Sequence, residues 1–386
     1  MRPKRIVILG STGSIGQQTL DVIRAHPDRL EVAGLAAGTQ VEELAQQAAE
    51  FAADACVGDP ARHETLRRLA AGRAGRLLAG DEGLRELAAT PEADLVVGAM
   101  SGLAGLAPVL AALEAGNDVA LANKEPLVAA GKLVMALAAR SGARLLPIDS
   151  EISAVFQALS GEDPRCVEKL ILTASGGPFS AYPLEDLATV TPAQALDHPT
   201  WRMGRKVTID SATLANKGFE LFELHWMFDV PFDRIEVVVH RQSILHSAVQ
   251  FCDGSVIAQM GLPDMRTAIQ YALFHPDRAP NRLPRLDLAA CGQLTFARPD
   301  LARFPCLRLA YEAGEAGRTC PAVLNGADEE AVGLFLEGRI GFLDIPRAIE
   351  GALDEHEPFE PTCLADILRA DAWARGNVRR RLDLDG

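Results

Sequence analysis

Over the first 150 residues, short apolar runs alternate with longer, amphipathic stretches rich in Ala and Leu. The runs at 6–9, 31–35, 55–57, 76–78, 94–97, 118–122 and 144–148 have the length and composition of strands buried on both faces. Between them, near 15–26, 41–52, 61–71, 82–89, 103–115 and 125–140, apolar residues recur every three or four positions, the period of a helix with one buried side. This alternation predicts a mostly parallel sheet covered by helices on both faces. Such a doubly wound domain binds ligands at the carboxyl ends of its strands.

Beyond residue 150 the alternation loosens into an α+β pattern, with strand-like segments at 168–172, 234–239 and 255–260. Pro276, Pro280 and Pro284 then fall close together and disfavour regular structure. Past residue 300 the helical period returns, near 325–337, 344–354 and 362–382. The expected fold class is α/β: a doubly wound, Rossmann-like N-terminal domain at 1–149, an α+β catalytic domain at 150–275, a linker at 276–300 and a C-terminal helical domain at 301–386. The total of 386 residues exceeds what one hydrophobic core usually supports, in keeping with several domains.

A formal net charge of -14 argues against nucleic acid or an anionic membrane as the main partner, since either favours a basic face. An anionic ligand must therefore be met by a local cluster of donors. The uncharged run from residue 95 to residue 113 has the length of a membrane span, but Gly98, Gly102, Gly105 and Pro108 interrupt it. It reads as a buried strand, a turn and a helix. The basic start at Arg2, Lys4 and Arg5 precedes an apolar run too short for a signal peptide. Seven cysteines without a C-x-x-C pair form neither a disulfide framework nor a zinc ribbon. A reducing, cytoplasmic location is expected.

Gly10-Ser-Thr-Gly13-Ser-Ile-Gly16 follows the first strand and opens the first helix. In that setting the glycines permit a tight turn and close backbone approach, and the N–H groups of the helix start can hold a pyrophosphate. An ordinary tight turn is the alternative. The second strand runs into Gly38-Thr39-Gln40 with no Asp or Glu to take a ribose 2′-hydroxyl, which favours NADP over NAD.

Asp149-Ser150-Glu151 follows the last strand of this domain. If the chain stays extended there, residues 149 and 151 project to one side and present two carboxylates, which a bound cation would relieve of repulsion. Oxygen-only ligands point to Mg²⁺ or Mn²⁺ instead of zinc. Capping of the next helix by Asp149 or Ser150 is the competing reading. Farther on, Ser211, Asn216 and Lys217 offer hydroxyl, amide and ammonium donors suited to a phosphate. Glu220 lies four residues after Asn216, so on one helix it shares that face and could supply a third carboxylate; a solvated helix face is the alternative. Ser175 with Gly176 and Gly177 forms either a second anion loop or a plain turn. Between these clusters, His198, Trp201, Arg202, Met203, Gly204, Arg205 and Lys206 have the makings of a mobile lid whose cations attract an anionic substrate, or of a surface loop with Trp201 in the core. His240 and His246 read as hydrogen-bonded structural histidines.

Together these segments resemble the 1-deoxy-D-xylulose 5-phosphate reductoisomerase family. The matching motifs are Gly10 to Gly16, Leu121-Ala-Asn-Lys-Glu125, Asp149-Ser-Glu151, Ser175-Gly-Gly-Pro-Phe179, Trp201-x-Met-Gly-Arg-Lys206, Asp210-Ser-Ala-Thr213, Asn216-Lys-Gly218 with Glu220, and Pro263-Asp-Met-Arg-Thr267. They run in the family's order across nearly the whole chain. The resemblance implies an NADPH- and Mg²⁺- or Mn²⁺-dependent rearrangement and reduction of a sugar phosphate to 2-C-methyl-D-erythritol 4-phosphate, in the non-mevalonate route to isoprenoids. It implies that Asp149, Glu151 and Glu220 hold the metal, and that Ser175, Ser211, Asn216 and Lys217 bind substrate, mainly its phosphate. Lys124 and Ser150 would contact other substrate groups, and His198 and Trp201 would close the lid. Lys124, Asp149, Glu151, Glu220, His198 and Trp201 would form the catalytic set. The cofactor would meet Thr12, Gly13, Ser14, Ile15, Gly38, Thr39, Gln40, Asn123, Glu125 and Gly204. A cytoplasmic homodimer is the family's usual form.

The chain departs from the family pattern at Thr39, where a basic residue is frequent, at Ile152, where His is usual, and at Pro126, Arg241 and Asp328, where Ser, Pro and Asn are common. Two other functions compete. Another NADP-dependent dehydrogenase of a phosphorylated aldehyde would lack the rearrangement, and a non-catalytic NADP(H)-sensing protein would not need three carboxylates.

Overall fold

The computed structural model describes residues 2–70 and 72–382. The chain divides into two compact units. One comprises Met1–Pro126, Val134–Ser153 and Asp264–Leu283; the other comprises Leu127–Leu133, Ala154–Pro263 and Pro284–Gly386.

The first unit is built on seven strands: β1 (Lys4–Leu9), β2 (Leu30–Ala37), β3 (Asp54–Val57), β4 (Leu77–Ala79), β5 (Leu95–Gly98), β6 (Asp118–Leu121) and β7 (Leu145–Pro147). They form one parallel sheet in the order β4-β3-β2-β1-β5-β6-β7. Strand order reverses beside β1, so the loops after β1 and β5 flank the crevice where such sheets take their ligands. Ile6, Val7, Ile8 and Leu9 are fully buried, each worth about 1.5–3 kcal/mol of transfer from water. The connecting helices are α1 (Ser14–Ala25), α2 (Val41–Phe51), α3 (His63–Ala70), α4 (Gly80–Ala88), α5 (Leu106–Glu114) and α6 (Glu125–Ser141). These are the elements that the period of the sequence predicts, displaced by a few residues at most. α7 (Ser150–Ala158) begins directly after β7.

In the second unit, β8 (Val167–Ala174), β9 (Ile235–Val239), β10 (Leu245–Phe251) and β11 (Val256–Met260) form a mixed sheet in the order β11-β10-β8-β9. β8 pairs parallel to β9 and antiparallel to β10. Between β8 and β9 lie two short helices, α8 (Leu184–Leu187) and α9 (Pro192–Leu196), then α10 (Arg205–Thr213) and α11 (Ala215–Phe228). α12 (Met265–Phe274) follows β11 and belongs to the first unit, where it packs on α1. The proline-rich stretch after it holds one short helix, α13 (Leu288–Cys291). The chain ends in α14 (Pro305–Ala316), α15 (Cys320–Leu336), α16 (Asp344–Glu355) and α17 (Leu364–Arg381), with α15 packed against the other three. β10, the short helices α8, α9 and α13, and the helices α10, α12 and α14 go beyond the segments singled out from sequence.

Candidate active site

In the first unit the glycine loop leaves β1 at Gly10. Its φ is +94°, and a Cβ there would stand 2.4 Å from the carbonyl oxygen of Ala99, so only glycine lets the loop lie this close to the end of β5. The loop delivers Thr12, Gly13, Ser14 and Ile15 to the start of α1. That helix has Gly13 as its N-cap, no capping side chain and no acid in its first turn, which leaves its dipole and first-turn N–H groups suited to an anion. Gly38, Thr39 and Gln40 are exposed just past β2. Asn123, after β6, is buried; its Nδ2 donates to the Gly102 carbonyl at 3.2 Å, while its Oδ1 is buried without a hydrogen-bond partner. An unpartnered acceptor at a strand's carboxyl end is one that a ligand amide can satisfy. Glu125, two residues on, is buried at the start of α6.

Two residues of the same edge form a buried ion pair, Lys124 with Asp149. The backbone is not extended through residues 149–151, contrary to one sequence reading: β7 ends at Pro147 and α7 starts at Ser150. The alternation of a strand therefore does not bring the two acids together. Asp149 caps the helix, accepting from the Glu151 N–H at 3.3 Å, and Ser150 Oγ donates to Glu151 Oε2 at 2.6 Å. Asp149 uses Oδ1 for the cap and Oδ2 for Lys124. Ile152, the next residue, is fully buried.

In the second unit β8 ends where Ser175 begins the glycine turn. A Cβ on Gly177, which has φ +65°, would lie 2.5 Å from the Ser211 carbonyl oxygen, so this turn sits directly on α10. Ser175 Oγ lies 3.0 Å from His198 Nε2, and His198 Nδ1 accepts from the N–H groups of Thr200 at 3.1 Å and Trp201 at 2.9 Å. A ring nitrogen accepting two N–H bonds carries no proton. The neutral ring is therefore the Nε2–H tautomer and donates to Ser175. Burial and then the charge of Lys217 hold this imidazole below its ordinary pKa. Trp201 is half-buried, its ring 6.2 Å from that of His246, and is not a core residue. Gly204 is exposed as the N-cap of α10.

Lys206 does not behave as a lid cation. Its ammonium lies 2.6 Å from Asp210, 2.9 Å from Asp328 and 4.3 Å from the centre of the Phe219 ring. Sequence reasoning missed this cluster, whose one signal was an acid at 328 where Asn is common. α10 and α11 meet at Leu214, with φ 62°, and carry Ser211, Asn216, Lys217 and Glu220 on buried positions. Glu220 is 1% exposed, which excludes a solvated face. Asn216 Nδ2 donates to its Oε1 at 2.5 Å and Lys217 Nζ to its Oε2 at 2.6 Å. His240 is structural: Nδ1 bonds the Thr295 carbonyl at 2.9 Å, and Nε2 accepts from Ile244 and Leu245, each at 3.2 Å.

Asp149 and Glu220 are thus buried carboxylates, each facing an ammonium group within its own unit, and Glu151 is half-buried. Carboxylate oxygens are the donors that a hard divalent cation such as Mg²⁺ or Mn²⁺ takes, and an ion there would share or displace the ammonium groups now on Asp149 and Glu220.

Three family models match in succession: "1-deoxy-D-xylulose 5-phosphate reductoisomerase" over residues 6–131, its C-terminal domain over 145–228, and "DXP reductoisomerase C-terminal domain" over 260–377. The chain is 52% identical to the 1-deoxy-D-xylulose 5-phosphate reductoisomerase of Chlorobaculum tepidum, covering 98% of this chain and 99% of that one. It is 54% identical to the enzyme of that name from Pelotomaculum thermopropionicum, over 96% and 97% of the two chains. Among solved structures, that of the Zymomonas mobilis reductoisomerase in complex with NADPH superposes with a TM-score of 0.93 at 42% identity, covering 99% of each chain. A reductoisomerase in complex with NADPH, fosmidomycin and magnesium gives 0.94 at 39% identity, over 99% of this chain and 98% of that one.

Proposed function

The chain belongs to the 1-deoxy-D-xylulose 5-phosphate reductoisomerase family, and from that premise we propose how its residues divide the work. It is an NADPH-dependent oxidoreductase that rearranges 1-deoxy-D-xylulose 5-phosphate and reduces the product to 2-C-methyl-D-erythritol 4-phosphate, a step of isoprenoid biosynthesis by the non-mevalonate route. The observation that carries the assignment of roles is the burial of the motif carboxylates Asp149 and Glu220 against lysine ammonium groups.

Asp149, Glu151 and Glu220 would hold the divalent ion. When bound, that ion supplies Lewis-acid polarisation of the substrate's carbonyl and hydroxyl oxygens. Lys124 and Ser150, both in contact with those acids, orient the substrate's other polar groups. Ser175, Ser211, Asn216 and Lys217 hold the phosphate, and His198, latched to Ser175 and to the backbone at Trp201, fixes the segment that excludes water from it. Thr12, Gly13, Ser14 and Ile15 present the start of α1 to the pyrophosphate of NADPH, with Gly38, Thr39 and Gln40 beside the ribose. Asn123, Glu125 and Gly204 take the rest of the cofactor, whose nicotinamide supplies the hydride. The buried, unpartnered Oδ1 of Asn123 supports this assignment.

In domain terms, 1–149 would be the cofactor domain, with α12 packed onto it, and the rest of 150–275 the catalytic domain, followed by a linker at 276–300 and a helical domain at 301–386. Two copies form a dimer: exposed Val256 and Ile257 on the edge strand β11, with Leu288 and Phe296, offer apolar surface that a second copy would cover. No helix among the described residues is long and apolar enough to cross a membrane, and the cytoplasm is the proposed location.

The test is to add 1-deoxy-D-xylulose 5-phosphate to the purified protein with NADPH and follow NADPH absorbance with and without Mg²⁺ or Mn²⁺. Metal-dependent loss of absorbance is expected. Folded protein that binds NADPH and shows no turnover with either metal overturns the reading in favour of a sensing role.

A further inference from the structure

Two cysteines outside the active site stand opposite one another on neighbouring strands. Cys166 immediately precedes β8 and Cys252 immediately follows β10, and these strands pair antiparallel with Val167 opposite Phe251. The pairing continues one step further, since the Cys252 N–H donates to the Cys166 carbonyl at 2.8 Å. Residues directly opposed on antiparallel strands have Cα atoms roughly 4.5–5.5 Å apart. A disulfide needs roughly 4.4–6.8 Å. Both cysteines are exposed. The other five are Cys56, Cys291, Cys306, Cys320 and Cys363.

We propose that Cys166 and Cys252 form a redox-modification site, closed to a disulfide by peroxide and reopened by thiols. A thiolate of the pair attacks the peroxide oxygen, giving a sulfenic acid and hydroxide; the second thiolate then attacks that sulfur and expels a second hydroxide. The sum is two thiols plus hydrogen peroxide to one disulfide and two waters. Desolvation and then the neighbouring Cys252 hold the Cys166 thiol above its ordinary pKa, so closure is slow at neutral pH and faster in alkali. Cys166 lies at the far end of β8 from Ser175, roughly 30 Å at the rise of a strand, so closing the bond staples the sheet without touching the substrate site. The span it would close in the unfolded chain is long, which makes the staple stabilising.

The full-length enzyme is treated with hydrogen peroxide, its remaining thiols are alkylated, and it is digested without reductant. A loss of two hydrogens and a peptide joining residue 166 to residue 252 are expected, reversed by dithiothreitol, with a melting temperature raised by a few degrees and turnover unchanged. Cys252→Ser removes the cross-link and leaves Cys166 as a sulfenic acid trapped by dimedone. Complete alkylation of both thiols after peroxide, or linkage of Cys166 to any other cysteine, overturns the proposal. A 166–252 link that lowers the melting temperature overturns its stapling role.

Discussion

The ammonium of Lys206 lies 2.9 Å from a carboxylate oxygen of Asp328, a residue with no exposed surface, and 2.6 Å from Asp210. Lys206 lies in the first turn of α10, just after the segment of His198 and Trp201, and Asp328 lies in α15, so the contact ties the base of that segment to the C-terminal helices. Lys206→Met would leave two buried carboxylates without this cation, a loss of about 3–5 kcal/mol or a melting temperature lower by roughly 10 °C. Asp328→Asn keeps a hydrogen-bond acceptor for Lys206 and is expected to cost about 1 kcal/mol or less. Thermal unfolding of both variants checks the contrast; equal, small losses would mean the pair anchors nothing.

The metal assignment separates two kinds of variant. Glu151→Gln keeps the shape of the side chain but removes a charged oxygen ligand, so kcat is expected to fall by at least about 100-fold while NADPH affinity stays within about twofold. Full activity would take Glu151 out of the site. Lys217→Ala acts on the phosphate side and is expected to raise KM for the sugar phosphate by roughly 10–100-fold. An unchanged KM would leave Lys217 as a partner of Glu220 alone.

The α/β half of this architecture is legible because each strand of the parallel sheet is a short apolar run between amphipathic helices, and Ile6 to Leu9 are buried as their sequence demands. β10 is harder to read: Leu245–Phe251 carries His246, Ser247 and Gln250, and its identity as a strand comes from pairing with β8 and β11. The acids at 149 and 151 have the spacing of an exposed strand edge, but local capping by Asp149 turns the chain into α7 one residue earlier. Asn216, Lys217 and Glu220 have helical spacing, and the helix forms. What composition could not give is direction. Arg205 and Lys206 are adjacent cations, yet the first is exposed and the second is turned inward onto acids from two different helices.

His198 gives a pH prediction. As pH falls, protonation of Nδ1 would break both of its bonds to the Thr200 and Trp201 N–H groups. Because the folded value lies below the ordinary 6.5, the ring stays neutral and latched through that pH, while an unfolded chain already takes up the proton there. Stability from this group is therefore full above about 6.5 and declines below it. KM for the sugar phosphate is expected to rise on the acid side of that value in the native enzyme. His198→Ala should raise KM roughly tenfold at neutral pH and remove this acid dependence. A variant that keeps the same acid limb would place the titration elsewhere.

Ile152 stands where the family usually has His, and its side chain is fully buried in α7. An imidazole introduced there must lose its hydration, which pushes its pKa down and costs about 2–4 kcal/mol unless a partner receives it. Ile152→His is thus expected to lower the melting temperature with no gain in kcat. Stability equal to the native chain, with faster turnover, would mean that the acids beside it accept the ring.

Cofactor preference turns on Thr39, another point where this chain departs from the family pattern. β2 runs out through Ala36 and Ala37 to Gly38, Thr39 and Gln40, all three exposed and none of them charged. Within these three residues there is no carboxylate to favour a ribose 2′-hydroxyl and no cation to favour a 2′-phosphate, so their contribution to NADPH preference rests on the absence of repulsion and on the Thr39 hydroxyl. A guanidinium in that place can form a bidentate, charge-assisted pair with the phosphate, so Thr39→Arg is expected to tighten NADPH binding about tenfold and leave NADH unchanged. Thr39→Asp adds a like charge and should weaken NADPH by at least about tenfold while improving the relative affinity for NADH. Fluorescence titration with both nucleotides reads the ratio directly. A ratio that neither substitution moves would mean the adenosine ribose does not lie at the end of β2.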